Sequence, residues 1–273
     1  MASLLSFDDA VCTRCGKCGS ACPMGFIRVG SRGPRTVPDA QEKCMLCGHC
    51  IAACATKTLQ HERLAPEACL PLDENWRGDV HAVEQLIKGR RSIRRYEDRP
   101  VDRATLLKVI DMARYAPTGM NSQSVSWLVV YKAGEVKKLS AAVIDWMRSL
   151  AAKGELIGGN YNPAPMIMAW DNGTDLILRG CPHVLVAYAR EGDAMAAGSC
   201  TAALTTAELA AATLGLGTCW AGFLHMAMIF SPAAREVLAL PAGHVMHGAL
   251  MIGHPAEQYH RIPPRKEPDV QWR

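Results

Sequence analysis

The chain begins MASLLSFDDAV, with no basic segment leading into a long apolar stretch. Nothing in that start directs it to an oxidising compartment, so a disulfide scaffold is not expected and a cytoplasmic protein is. The formal net charge is only +4, too small to argue for a nucleic-acid or membrane partner. No G-x-G-x-x-G opens a helix after a strand, so a separate dinucleotide-binding domain is not expected. The longest weakly apolar run, residues 194–217, is built of alanine, threonine and serine and is broken by Glu208. It suits a helix buried in a protein interior better than a membrane span.

Cysteine, by contrast, is plentiful: twelve in 273 residues. Eight fall in two runs of one design, CTRCGKCGSACP from Cys12 and CMLCGHCIAAC from Cys44, each with three cysteines two residues apart and a fourth three residues on. That is the spacing of two 4Fe-4S clusters. A thiolate at every third residue of a coiling chain reaches three irons of one cube, and the fourth cannot fold back onto it. In bacterial runs of this kind the fourth cysteine ligates the other cluster. The sharing would then be Cys12, Cys15, Cys18 and Cys54 on one cube, and Cys44, Cys47, Cys50 and Cys22 on the other. Zinc knuckles are the rival reading, but a tetrahedral ion held by paired knuckles leaves the third cysteine of each run without a role. Pro23 follows the first run as the bacterial pattern has it, whereas Ala55 follows the second. The stretch resembles a bacterial two-cluster ferredoxin. Cys69, Cys181, Cys200 and Cys219 are left as small hydrophobic residues, Cys219 being singled out below.

These features divide the chain into a cluster domain over 1–65, a linker over 66–79 rich in proline and mixed charge, and a second domain over 80–273. Asp79 caps a helix whose apolar positions are Val80, Val83, Leu86 and Ile87, ended by Gly89. Asp102 opens another, carrying Leu106, Leu107, Val109, Ile110 and Ala113 and stopped before Pro117. Residues 135–154 read as a helix, and residues 127–131, 165–170 (PMIMAW), 181–189 and 244–253 read as buried strands.

Three distant segments of the second domain carry chemistry. GRRSIRRY offers guanidinium forks and a hydroxyl to phosphate or ring oxygens. YAPTGMNSQ offers a tight turn and two amide side chains suited to the edge of a planar heterocycle. GLGTCWAGF offers close backbone approach beside an indole plate. In this order and spacing they resemble the FMN-dependent nitroreductase family. The resemblance implies an α+β fold with a mixed sheet flanked by helices, and an intertwined homodimer with FMN at its interface. It implies that Arg90, Arg91, Ser92 and Arg94 hold the FMN phosphate and ribityl chain. Pro117, Thr118, Gly119, Asn121 and Gln123 would line the ring from either subunit, Cys219, Trp220, Ala221 and Gly222 would run along it, and Arg265 and Lys266 would close on the phosphate. Many members read N-x-Q-P-W where this chain has NSQSV, with Ser124 and Val125, so the implied substrate pocket differs in shape.

Clusters pass single electrons and flavin accepts one or two, so the fusion implies an oxidoreductase that draws on an external low-potential donor and reduces an electron-poor organic acceptor, a nitroaromatic, quinone or conjugated compound. The alternatives are a flavo-iron-sulfur module serving a protein partner, and a dehalogenating or flavin-cleaving branch of the family. His225, His244, His247, His254 and His260 are available as proton donors, and none is assigned as catalytic.

Overall fold

A computed structural model describes residues 4–73 and 78–273. Of the linker expected over 66–79, residues 74–77 lie outside the described residues. The chain forms two units, Met1–Arg77 with Met120–Ser122, and Gly78–Gly119 with Gln123–Arg273.

The first unit is made of short elements: β1 (Leu5–Ser6), α1 (Lys17–Ser20), β2 (Ile27–Gly30), β3 (Gly33–Thr36), α2 (Ala40–Lys43), α3 (His49–Ala52) and β4 (Gln60–His61). Strand β1 pairs with β4 and β2 with β3, both antiparallel. Each cysteine run coils through left-handed backbone, and the pattern repeats: Arg14, Gly16 and Gly25 in the first half recur as Leu46, Gly48 and Lys57 in the second. Glycine adopts that conformation without the steric cost a side chain brings. The small core is Leu5, Ile27 and Leu59, packed by Phe7, Val29 and four of the cysteines. So thin a core leaves much of the ordering to whatever the cysteines hold.

The second unit contains α4 (Val80–Gly89), α5 (Arg103–Ala113), β5 (Ser126–Val130), α6 (Ala133–Ala152), α7 (Ala164–Asp171), β6 (His183–Arg190), α8 (Ala196–Thr213), β7 (Gly217–Trp220), α9 (Gly222–Phe230), α10 (Pro232–Leu238) and β8 (His244–Gly253). Its sheet runs β5-β6-β8-β7 with antiparallel ladders, and a parallel bridge adds Ser92 beside Thr218. Alternation along the central strands sorts side chains to two faces. Leu185, Ala187, Leu250 and Ile252 pack with α5 and α8, while Val184, Val186, Ala249 and Met251 pack with α6, α9 and α10. The domain is thus the α+β arrangement expected, a sheet with helices on both faces.

Asp79 and Asp102 cap α4 and α5 as read, accepting from His81 N at 2.9 Å and Thr105 N at 2.8 Å. The run 194–217 is mostly α8, with Ala203, Leu204, Ala207 and Ala211 buried. Among the described residues no helix is long and apolar enough to cross a membrane. One expectation is corrected: PMIMAW, read as a strand, lies in helix α7. Asn162 Oδ1 accepts from Ala164 N at 2.9 Å and Pro163 starts the turn, so a local side-chain contact and a preset φ favour a helix in a segment whose apolar run carries no period. The apolar residues of α4 are helical as read, yet Val80, Val83 and Ile87 stand exposed on this chain.

Candidate functional site

The eight run cysteines line two cavities of like size, about 30 Å³ each. Cys12, Cys15, Cys18 and Cys54 line the first, beside Phe7, Val29, Pro34 and Leu59. Cys22, Cys44, Cys47 and Cys50 line the second, beside Leu5, Ile27, Leu64 and His61. Each cavity takes three thiols from one run and the fourth from the other. All twelve cysteines are free. Among the described residues no three His, Cys, Asp or Glu side chains converge tightly enough for a single ion. Four thiols spread around an apolar space fit a cubane, whose ligands sit on separate irons.

Hydrogen-bond donors reach these sulfurs. Phe26 N donates to Cys22 Sγ at 3.3 Å, and Thr56 Oγ1 stands 3.5 Å from Cys54 Sγ. His61 Nε2 stands 3.6 Å from Cys44 Sγ. The backbone N–H of Lys17 and the Thr13 hydroxyl lower the pKa of Cys15, whereas burial raises that of Cys18 and pushes Cys50 up to about 11. At Cys18 and Cys50 this burial resists a bare thiolate and suits one neutralised by iron.

In the second unit, Ile93 N donates to Thr218 O at 2.8 Å, laying the arginine segment along β7. That one junction brings two of the three segments together. Arg90 and Arg91 then line a cleft with Glu208, Gly217 and Thr218. Arg94 lines another, of about 580 Å³, with Arg179, Cys219, Trp220 and Gly222, over Ile157, Ile177, Phe223 and Met226. Glu208, buried on α8, ties the junction together. Arg90 Nη1 lies 3.2 Å from its Oε1, the Thr218 hydroxyl donates to the same oxygen at 3.4 Å, and Trp220 Nε1 donates to Oε2 at 2.9 Å. Burial raises the pKa of Cys219, opposed by the charges of Arg94 and Arg179. Of the five histidines offered by the sequence, His225 lines the larger cleft, and burial lowers its pKa.

The remaining candidates lie apart from these clefts. Thr118 Oγ1 accepts from Gln123 N at 3.0 Å, and Gly119 N donates to Ser199 Oγ at 3.4 Å on α8. Pro117 stands in the same connection between α5 and β5. Asn121 belongs to the first unit, where its Nδ2 donates to Met45 O at 3.0 Å and Leu46 O at 3.2 Å. Ala221 is buried, its N donating to Ala249 O at 2.9 Å. Arg265 and Lys266 lie exposed in a C-terminal stretch without secondary structure. Sequence reasoning assigned no role to Glu208 or Arg179. A lone carboxylate inside an apolar helix was a usable signal, because a buried charge requires partners. Arg179, held in left-handed backbone at φ 58°, carries no such mark in the sequence.

Comparison with known proteins bears on both units. The model of the nitroreductase family matches residues 87–254, and that of a 4Fe-4S dicluster domain matches residues 4–55. FMN reductase (NAD(P)H) of Bacillus subtilis (strain 168) is 30% identical over 188 residues, which are 67% of this chain and 70% of that protein. The fold is similar to that of a nitroreductase with bound FMN from Bacteroides fragilis, at TM-score 0.55 and 21% identity over 69% of this chain and 94% of the other. A nitroreductase with bound FMN from Desulfitobacterium hafniense gives TM-score 0.55 and 20% identity over 69% and 97%.

Proposed function

From the premise that this chain belongs to the nitroreductase family and carries a 4Fe-4S dicluster domain, we propose that it takes electrons singly through two 4Fe-4S clusters, collects them on FMN and delivers them to an electron-poor organic acceptor. The observation that carries this reading is the exchange of one cysteine between the two runs, which equips two neighbouring cavities with four thiols each. When bound, the clusters supply one-electron transfer and the flavin joins that supply to two-electron reduction.

The chain's own residues hold and shape the site. Arg90 and Arg91 offer the charge that grips a phosphate, and the Glu208 contact holds Arg90 in place. Arg94 and Arg179 put positive charge beside Trp220, where it would favour an electron-rich, reduced flavin bound in that cleft. The apolar residues Ile157, Ile177, Phe223 and Met226 would give such a ring an apolar wall. A roomy cleft of about 580 Å³ with such a lining supports a small organic acceptor rather than a protein one. The exposed face of α4 supports a homodimer, in which Pro117, Thr118, Gly119, Asn121 and Gln123 line the FMN ring from either subunit and Arg265 and Lys266 close on the phosphate.

Anaerobic purification with iron, sulfide and flavin analysis tests the cofactors: about eight irons and one FMN per chain are expected. Substituting Arg90→Ala should weaken FMN binding roughly ten- to a hundredfold, the worth of one charge-assisted contact. Turnover of a nitroaromatic or quinone with reduced ferredoxin as donor then tests the electron path. Native cofactor content without ferredoxin-driven turnover would leave the clusters without the proposed entry role.

A further inference from the structure

The first unit repeats itself, Cys44 answering to Cys12 and Cys54 to Cys22, and at the same offset His61 answers to Val29. The repeat breaks there in a way that matters chemically. Val29 lines the cavity of Cys12, Cys15, Cys18 and Cys54 with hydrocarbon. His61 lines the cavity of Cys22, Cys44, Cys47 and Cys50 with an imidazole.

That imidazole is oriented from two sides. Pairing of β4 with β1 sets His61 opposite Leu5, and the residue is only 5% exposed. Its Nδ1 accepts from Arg63 N at 3.1 Å. An accepting Nδ1 leaves the ring proton of the neutral imidazole on Nε2. Nε2 stands 3.6 Å from Cys44 Sγ, within reach for an N–H to sulfur hydrogen bond, which the larger radius of sulfur makes longer than one to oxygen. A donor to a ligating sulfur withdraws charge from the cluster and favours its reduced, more negative state, so it raises the reduction potential.

We infer that His61 sets the two repeated clusters apart, by donating Nε2–H to Cys44 and so raising the reduction potential of the cluster that Cys44 holds. This rests on the reading that the cysteine cavities hold clusters. His61 acts through Cys44, so it is a positioning residue, and potential is the quantity that separates this role from a structural one.

The experiment uses full-length protein purified anaerobically, its iron and sulfide measured first. Absence of two clusters from the native protein would defeat the underlying reading and is recognised before any variant is made. His61→Val installs the residue that the repeat itself uses at this place. Native and variant proteins are poised with dithionite across a range of potentials, and the EPR signals of the reduced clusters are followed. The expected result is that one of the two midpoints moves to lower potential and the other stays. Unchanged midpoints with full iron content, or equal movement of both, would overturn the inference. Should His61→Val lose iron, resonance Raman of the native protein in heavy water decides: a deuterium shift of an iron–thiolate stretch that is absent from His61→Phe supports the bond, and an identical response in the two proteins overturns it.

Discussion

Arg90 and Glu208 stand 118 positions apart in the sequence and 3.2 Å apart in the fold. The carboxylate that orients Arg90 through one Nη also accepts from Thr218 and Trp220, so three residues of the two joined segments meet on one buried side chain of α8. A charge buried this deeply is tolerable because each oxygen is occupied.

Removing that side chain should therefore cost more than an ordinary surface substitution. Glu208→Ala strands the indole N–H, the Thr218 hydroxyl and the Arg90 charge, a loss of about 2–4 kcal/mol. Glu208→Gln keeps an acceptor for Trp220 and should lose less than half as much. Urea unfolding followed by tryptophan fluorescence measures both, and equal midpoints for the native protein and the alanine variant would contradict the role.

The junction itself depends on a missing side chain. A Cβ at Gly217 would come within 2.8 Å of Ile93 Cβ, an atom tied to backbone that cannot swing away. Gly217→Ala should push the arginine segment off β7 at a cost of about 1–3 kcal/mol. The reporter is the amide of Ile93, which donates to Thr218 O at 2.8 Å. Its hydrogen exchange should accelerate in the variant while that of the β6–β8 ladder stays slow.

How much of this was legible beforehand follows from the range of each interaction. The cysteine cavities were readable because ligand spacing is local, and the exchange of Cys22 and Cys54 follows from how far a short coil can reach. Strands β6 and β8 and the caps at Asp79 and Asp102 were readable for the same reason, each being decided within a few residues. Segment 165–170 was not, because apolar residues without a period serve a short helix or a strand equally, and the Asn162 contact with Ala164 favours the helix. Arg179 was hidden too: it reaches the cleft through a tertiary approach to Cys219 and Trp220 that no spacing announces. The second segment was legible as a turn, but the partners of Gly119 and Asn121 were not.

Acid should loosen the second unit through His183. Its Nε2 accepts from Val101 N at 2.9 Å, its Nδ1 lies 2.7 Å from Tyr131 O, and burial lowers its pKa. The folded state thus holds the neutral ring, while the unfolded chain takes up a proton near the ordinary histidine value of about 6.5. Stability should be full above about pH 6.5 and fall as the pH drops from there toward the folded pKa. His225 and His247, also lowered by burial, act in the same direction. Thermal unfolding from pH 7.5 to 5 should show a falling midpoint, with a shallower slope in His183→Gln. A midpoint that rises on acidification would refute the assignment.

The exchange of the fourth cysteines makes a prediction that a simpler picture, one run per cluster, does not. Cys22 lines the cavity of Cys44, Cys47 and Cys50, and Cys54 lines that of Cys12, Cys15 and Cys18. Serine is a poor substitute for thiolate on iron, so each single variant should damage one cluster and leave about half the native iron. Combinations then reveal which cysteines share a cube. Cys22→Ser with Cys47→Ser strikes the same cluster twice and should leave the iron content where either change alone leaves it. Cys22→Ser with Cys15→Ser strikes both and should remove nearly all of it. If each run held its own cluster, these two outcomes would be reversed. Iron analysis and the EPR of the dithionite-reduced proteins decide between the arrangements, since the double variant that keeps one cluster keeps one uncoupled signal.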